Sequence, residues 1–223
     1  MRLNFIKLFK LIIVLILMVP ILSWANNELT DDLSYKKALD YFNTQKFNET
    51  IDVLNKTIKD NPNEDSYYIL MGRAYENLKN NDKAKDSYEK AIELNTNDVR
   101  AYVGRSTVSS DFNEQEYWAK QAIEKFPYQS TAAVALLNGL YVSQAIQEES
   151  TDNTERAIKL LKEAKKINTD YLERLEMTPE NIFQEEVSET AEKLDKQTLK
   201  EQIEKRVLGL EGLEDEWNQK YNK

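Results

Sequence analysis

The 223-residue chain contains no cysteine and no histidine. Without an imidazole or a thiol, serine–histidine triads, cysteine nucleophiles, histidine acid–base catalysis and the ordinary zinc sites are excluded together. No disulfide contributes to stability, so packing must hold the fold alone. Glycine (5) and proline (4) are nearly as scarce, and no glycine-rich phosphate loop, EF-hand loop or dinucleotide fingerprint occurs. Ser34 with Lys37 and Ser87 with Lys90 match a Ser-x-x-Lys pattern. The Ser-Asp-Asn and Lys-Thr-Gly motifs that accompany it in penicillin-binding enzymes are missing, and both matches fall on helix turns expected to face solvent. The expectation is a chain that is not an enzyme and carries no metal or cofactor.

What the chain has is a period. Ala38, Gly72 and Ser106 are spaced by 34 residues, as are Tyr41 and Tyr75, Thr50 and Ala84, Leu54 and Tyr88, and Thr57 and Ala91. A unit of this length cannot bury its own apolar face, so neighbouring units must stack to make a continuous core. Apolar residues recur at three- and four-residue spacings almost throughout, which predicts an all-α chain. The pattern divides into antiparallel helix pairs at about 31–44 with 47–60, 64–79 with 82–94, 98–110 with 114–125, and 129–148 with 153–168. Asn63, Asn81, Asn97 and Asp152 stand where helix caps are expected, and Pro62 and Pro127 mark unit boundaries.

The second unit, Asp65 to Asp98, resembles a tetratricopeptide repeat. Tyr68 stands at the family's large aromatic, Gly72 at the small residue where two helices cross closely, Tyr75 at the next aromatic, and Ala84, Tyr88 and Ala91 continue the match in the second helix. Thr96 departs from it, standing where the family usually has proline. The first unit, 31–64, is similar through Ala38, Tyr41, Thr50, Leu54, Thr57 and Pro62, with Ser34 in place of the aromatic. The third, 99–128, keeps Tyr102 and Ser106, but its second helix matches only after a shift of 31, pairing Ala84 with Gln115 and Ala91 with Ala122. A shortened inter-helix turn is expected there. A further shift of 42 takes Gln115 to Ala157 and Ala122 to Ala164, giving a fourth unit, 129–169, with an extended first helix or connection around Gln144 to Asn153. The resemblance implies a short right-handed α-solenoid over 26–169, followed by C-terminal capping helices in 170–223.

From Asp170 the period is lost. Thr178-Pro179-Glu180 reads as a helix start, with Ile182, Phe183, Val187, Ala191 and Leu194 as its apolar stripe. Thr198 and Glu201 form a capping-box pattern ahead of Leu199, Ile203, Val207, Leu210, Leu213, Trp217 and Tyr221. These helices are expected to fold back on the fourth unit, because a terminal unit needs its last apolar face covered. Dimerisation through them is the alternative.

Residues 1–25 read as a secretory signal peptide. Arg2, Lys7 and Lys10 form a basic start, Leu11 to Val19 an apolar run and Pro20 a break, and Ser23-Trp24-Ala25 presents small residues at the two places a signal peptidase reads, for cleavage between Ala25 and Asn26. An uncleaved anchor is the rival reading, but only about fifteen apolar residues follow Lys10, against the roughly 20 that span a bilayer. Cleavage removes three basic side chains and no acidic ones, so 27 Lys and Arg then face 39 Asp and Glu, a net charge of −12. Such a surface disfavours nucleic acid and anionic lipid, and no membrane insertion is expected after cleavage. The expected location is the bacterial periplasm.

In tetratricopeptide arrays the first helix of each pair lines a concave groove. Carried over position by position, the resemblance places Tyr35, Leu39, Phe42 and Asn43 of the first unit there, Ile69, Arg73, Glu76 and Asn77 of the second, and Arg100, Val103 and Thr107 of the third. This is an apolar strip with two cations set into it. The Lys and Asn pairs with which some family members clamp a terminal carboxylate are not at these places. The rival assignment is that Tyr35, Leu39 and Phe42 only pack against neighbouring structure. The function implied is an exported adaptor or scaffold that binds a protein or peptide segment in the groove. The alternative is a self-associating structural or assembly subunit of a cell-envelope complex.

Overall fold

The computed structural model describes residues 33–94, 97–127, 130–178 and 195–221, and every regular element among them is helical. Helix α1 covers residues 33–43, α2 Phe47–Asp60, α3 Asp65–Asn77, α4 Asn81–Glu93, α5 Val99–Thr107, α6 Phe112–Lys125, α7 Thr131–Ser150, α8 Thr154–Met177 and α9 Lys196–Tyr221. The expected fold class, all-α helix pairs, is the one observed. Helices α1 to α4, the first two repeats, belong to one compact unit, Met1–Leu94 (hereafter the first unit), and α5 to α9 to another, Asn95–Lys223 (hereafter the second unit).

In the first unit the repeat's small positions are buried as the pattern requires. Ala38, Ala74, Ala84 and Ala91 are fully buried, and Gly72 lies against the Tyr88 ring. Ala38, Leu54, Tyr67, Leu70 and Met71 form one apolar cluster. Each pair closes with the same turn. Gln45 and Lys79 take left-handed conformations, φ 60° and 59°. The following amide then reaches back to the carbonyl of Tyr41 or Tyr75 (Lys46 N and Asn80 N, both 2.9 Å), which satisfies a carbonyl that the helix end would otherwise leave bare.

In the second unit the same turn reappears at Asp152, φ 59°, with Asn153 N donating to Glu148 O at 2.9 Å. Gln45, Lys79 and Asp152 lie seven residues after Ala38, Gly72 and Ala145, so Ala145 is the crossing residue of the fourth pair. It is fully buried in one cluster with Ala157. The extended first helix expected of this pair is observed in α7, but its extra residues stand at the start of the helix and not around Gln144 to Asn153. The third pair has no left-handed residue, and its turn is shortened as expected. Ser106 Oγ donates to Gln115 O at 2.7 Å, Gln115 Nε2 to Ser109 O at 2.6 Å, and the Arg105 guanidinium, 2% exposed, bonds Glu114 and Ser109. A buried guanidinium paired with a half-exposed carboxylate thus fills the corner from which the turn was removed.

Helix α9 runs antiparallel to α8. Leu210 and Trp217 join the cluster of Leu137, Tyr141, Ala145, Ala157, Leu161 and Ala164, while Leu199 and Ile203 join Val134, Tyr171 and Leu175. It lies on α8 as α7 lies on α6, the place of the first helix of a following pair.

Three boundary expectations are corrected. Helix α8 runs on to Met177, past 168, because Tyr171 and Leu175 find partners on α9. The N-caps fall one residue from the expected Asn63, Asn81, Asn97 and Asp152, at Glu64, Asn80, Asp98 and Asn153; of these, Asn80 accepts from Lys83 N and Asp98 from Arg100 N. Asp195, rather than Thr198, caps α9, accepting from Thr198 N at 2.9 Å and Thr198 Oγ1 at 2.6 Å. Thr178 closes α8, its hydroxyl donating to Arg174 O at 2.8 Å. The stripe from Ile182 to Leu194 and the signal segment lie outside the described residues.

Candidate functional site

The first helices of the pairs carry the groove candidates. In the first unit Tyr35, Leu39 and Phe42 are half-buried and pack on the cluster around Leu54 and Tyr67. The Tyr35 and Tyr67 rings lie 5.6 Å apart, and Phe42 meets Phe47 edge-on at 5.5 Å. These side chains therefore have a packing role, and each also keeps an accessible edge.

Arg73 joins them. Its guanidinium lies 4.6 Å from the centre of the Phe42 ring, so α3 is tied to α1 by a cation–π contact. Arg73 is half-buried, and no carboxylate among the described residues pairs with it. Asn77 Nδ2 turns back to the Arg73 carbonyl at 2.8 Å, and Asn43 is exposed. Ile69 is 3% exposed and offers little surface. Glu76 accepts the Tyr88 hydroxyl at 2.8 Å and is held toward α4. Burial first, and the Glu76 carboxylate second, push the Tyr88 phenol well above its ordinary range, so it stays a donor.

In the second unit Arg100 pairs through both ends of its fork with Asp98, the cap of its own helix, with Nε 2.8 and 2.9 Å from the two carboxylate oxygens. Arg73 and Arg100 thus differ in what they can offer a ligand. Val103 is half-buried, and the Thr107 hydroxyl bonds the Val103 carbonyl at 2.9 Å. By the register of the fourth turn, Val142 and Ile146 of α7 take the matching positions, and Ile146 is 53% exposed. The sequence reading did not include these two, because it had not located the extra residues of α7.

A second arrangement went unread. Asn168 of α8, fully buried, bonds both Asn138 of α7 and Arg206 of α9. Its signal in the sequence is an amide standing inside the stripe Leu161, Ala164, Tyr171, Leu175. Among the described residues no cluster of acidic side chains could hold a metal ion, and no helix is long and apolar enough to cross a membrane.

With this geometry in hand the chain can be set beside known proteins. The tetratricopeptide repeat family model matches residues 65–98. Anaphase-promoting complex subunit 3 of Dictyostelium discoideum is 31% identical over 87 residues, which is 38% of this chain and only 9% of that protein's length. Among solved structures, a TPR repeats protein from Bacteroides fragilis NCTC 9343 is 19% identical with a TM-score of 0.51, over 86% of this chain and 93% of that one. MamA is 14% identical with a TM-score of 0.49, over 87% and 96%. Residues 65–98 are accordingly a tetratricopeptide repeat, set in an all-α chain whose fold is like that of the Bacteroides fragilis repeat protein.

Proposed function

We propose that this chain is an exported, periplasmic adaptor that holds a segment of a partner protein against the α1–α3 face of its first unit. Proteins built of tetratricopeptide repeats serve as protein-interaction scaffolds, and the matched repeat supplies α3 and α4. The observation that carries the reading is Arg73. Its guanidinium rests on the Phe42 ring beside half-buried Leu39 and Tyr35 and has no carboxylate partner among the described residues. A planar fork on an apolar floor suits an acidic or carbonyl-rich segment, because its charge-assisted hydrogen bonds form away from bulk water. Arg100, tied to Asp98, is not part of this reading. The basic start, apolar run and Ser23-Trp24-Ala25 support export.

The test uses the chain beginning at Asn26 as bait in an envelope extract, against the same chain carrying Arg73→Glu. Capture of a partner that is lost in Arg73→Glu, at unchanged helicity and with melting lowered only by the lost Phe42 contact, is the expected outcome. Equal capture by both forms moves the site off the α1–α3 face.

A further inference from the structure

The second unit contains a cation for which no described residue supplies a counter-charge. Arg206 of α9 is half-buried, and its Nη1 donates to Asn168 Oδ1 at 3.1 Å. Burial alone pulls this guanidinium below its usual range. Asn168 Nδ2 donates to the Ala164 carbonyl at 2.7 Å and to Asn138 Oδ1 at 2.8 Å. These bonds fix both amides: Asn168 must give its oxygen to Arg206, and Asn138 must give its oxygen to Asn168. The Asn138 NH2 and the remaining N–H groups of Arg206 are left as donors on either side of one carboxamide. A half-buried group of this kind, all donors and one positive charge, is complementary to a carboxylate.

The surroundings say what carries that carboxylate. Asn138, Val142 and Ile146 follow one another at four-residue spacing on α7, and Leu213 lies two turns beyond Arg206 on α9. Val142 and Leu213 are half-buried and Ile146 is exposed, so the donors adjoin apolar surface. At Gly139 and Gly209, beside them, a Cβ would meet nothing within 4 Å, which leaves room for a backbone to approach. The chain's net charge of −9 repels a poly-acidic ligand. One carboxylate in an apolar context fits all of these.

We propose that Arg206, Asn138 and Asn168 form a binding site between α7 and α9 for a single carboxylate carried on an apolar peptide segment of a partner protein. The site lies in the second unit and stands independently of the α1–α3 reading.

The experiment titrates the chain beginning at Asn26 with the capped peptide Ac-Ala-Leu-Asp-Leu-Ala-NH2, its Asn counterpart and sodium acetate, following affinity by calorimetry and the Arg206 Nε–H signal by NMR. The Asp peptide is expected to bind at least about tenfold tighter than the Asn peptide, the scale of one charge-assisted bidentate bond. Arg206→Gln, which can still donate to Asn168, is expected to abolish that preference. Asn138→Asp supplies the carboxylate internally, and is expected to abolish it too while melting stays level or rises. Arg73→Glu is expected to leave it intact. Equal binding of the two peptides, or a preference that survives in Arg206→Gln or in Asn138→Asp, overturns the proposal. A response to acetate without one to the Asp peptide overturns it in favour of a small-carboxylate site.

Discussion

A Cβ at Gly72 would stand 2.8 Å from Tyr88 Cε1 and 2.9 Å from Cδ1, closer than real carbon atoms approach. The ring cannot swing aside freely, because its hydroxyl is bonded to Glu76. Gly72→Leu is therefore expected to destabilise the first unit by about 1–3 kcal/mol or more, seen as a lower melting temperature. Gly139→Ala is the matched contrast, since nothing lies within 4 Å of its added methyl and alanine is the better helix former by about 1 kcal/mol. Melting should rise there, and equal responses at the two glycines would sink the close-crossing account. This residue was legible, because a small side chain at a fixed period has a packing reason. Arg105 was not: its partner Glu114 lies nine residues away across a turn whose path the sequence does not state.

At the scale of elements, the turn decides the register. Gln45, Lys79 and Asp152 hold left-handed backbone without being glycine. A side chain there costs about 1–2 kcal/mol, part of which the looser unfolded chain of a glycine variant gives back. Lys79→Gly is expected to raise melting by a few degrees, roughly 2–4 °C per kcal/mol in a chain of this size. Lys79→Ala should change it little, because alanine meets the same steric cost. A rise in the alanine variant as large as in the glycine one would show that lysine, and not the backbone, is the source of strain. The same turn explains what the sequence left open. The shift of 42 showed that residues had been added to the fourth pair, but only the left-handed Asp152, seven past Ala145, shows that they precede the crossing. The caps missed by one residue for a related reason: Asn80 and Asn81 are equally good acceptors, and the preceding turn selects the first.

Over the whole molecule, the missing histidine and the acidic balance combine into a pH profile. With no imidazole, no side chain of ordinary pKa titrates between the carboxylates and the lysines and tyrosines, so stability should stay nearly flat from about pH 6 to 9. The acid side is different. Hydrogen bonds from Lys220 and Tyr221 hold Glu149 below its usual 4.5, a hydrogen bond from Lys200 does the same for Glu176, and bonds from Thr198 lower Asp195 from 3.8. A carboxylate with a lowered folded-state pKa adds stability that is present above its unfolded value and is lost as pH falls through the lower one. All three sit at the ends of α9: Glu149 receives its C-terminus, and Glu176 and Asp195 hold its N-terminus. The repeat was readable because it recurs, and the return of a C-terminal helix onto the fourth pair was readable because a last apolar face needs covering, but the polar contacts that pin the ends of α9 to Glu149 and Glu176 had to be seen. Among the described residues one further carboxylate is held low, Glu116, where burial is outweighed by hydrogen bonds from Lys120 and Tyr141 that serve α6 and α7. With three such groups at the ends of α9 and one there, acid should loosen α9 first and the helix pairs after it. In the chain from Asn26 carrying Trp118→Phe, Trp217 is the remaining tryptophan and is buried against α7 and α8. Its emission should shift to the red as pH falls below about 4.5, ahead of the loss of helicity, and Glu149→Gln should move that shift to higher pH. Coincident loss of the two signals would show that α9 and the helix pairs it covers unfold as one.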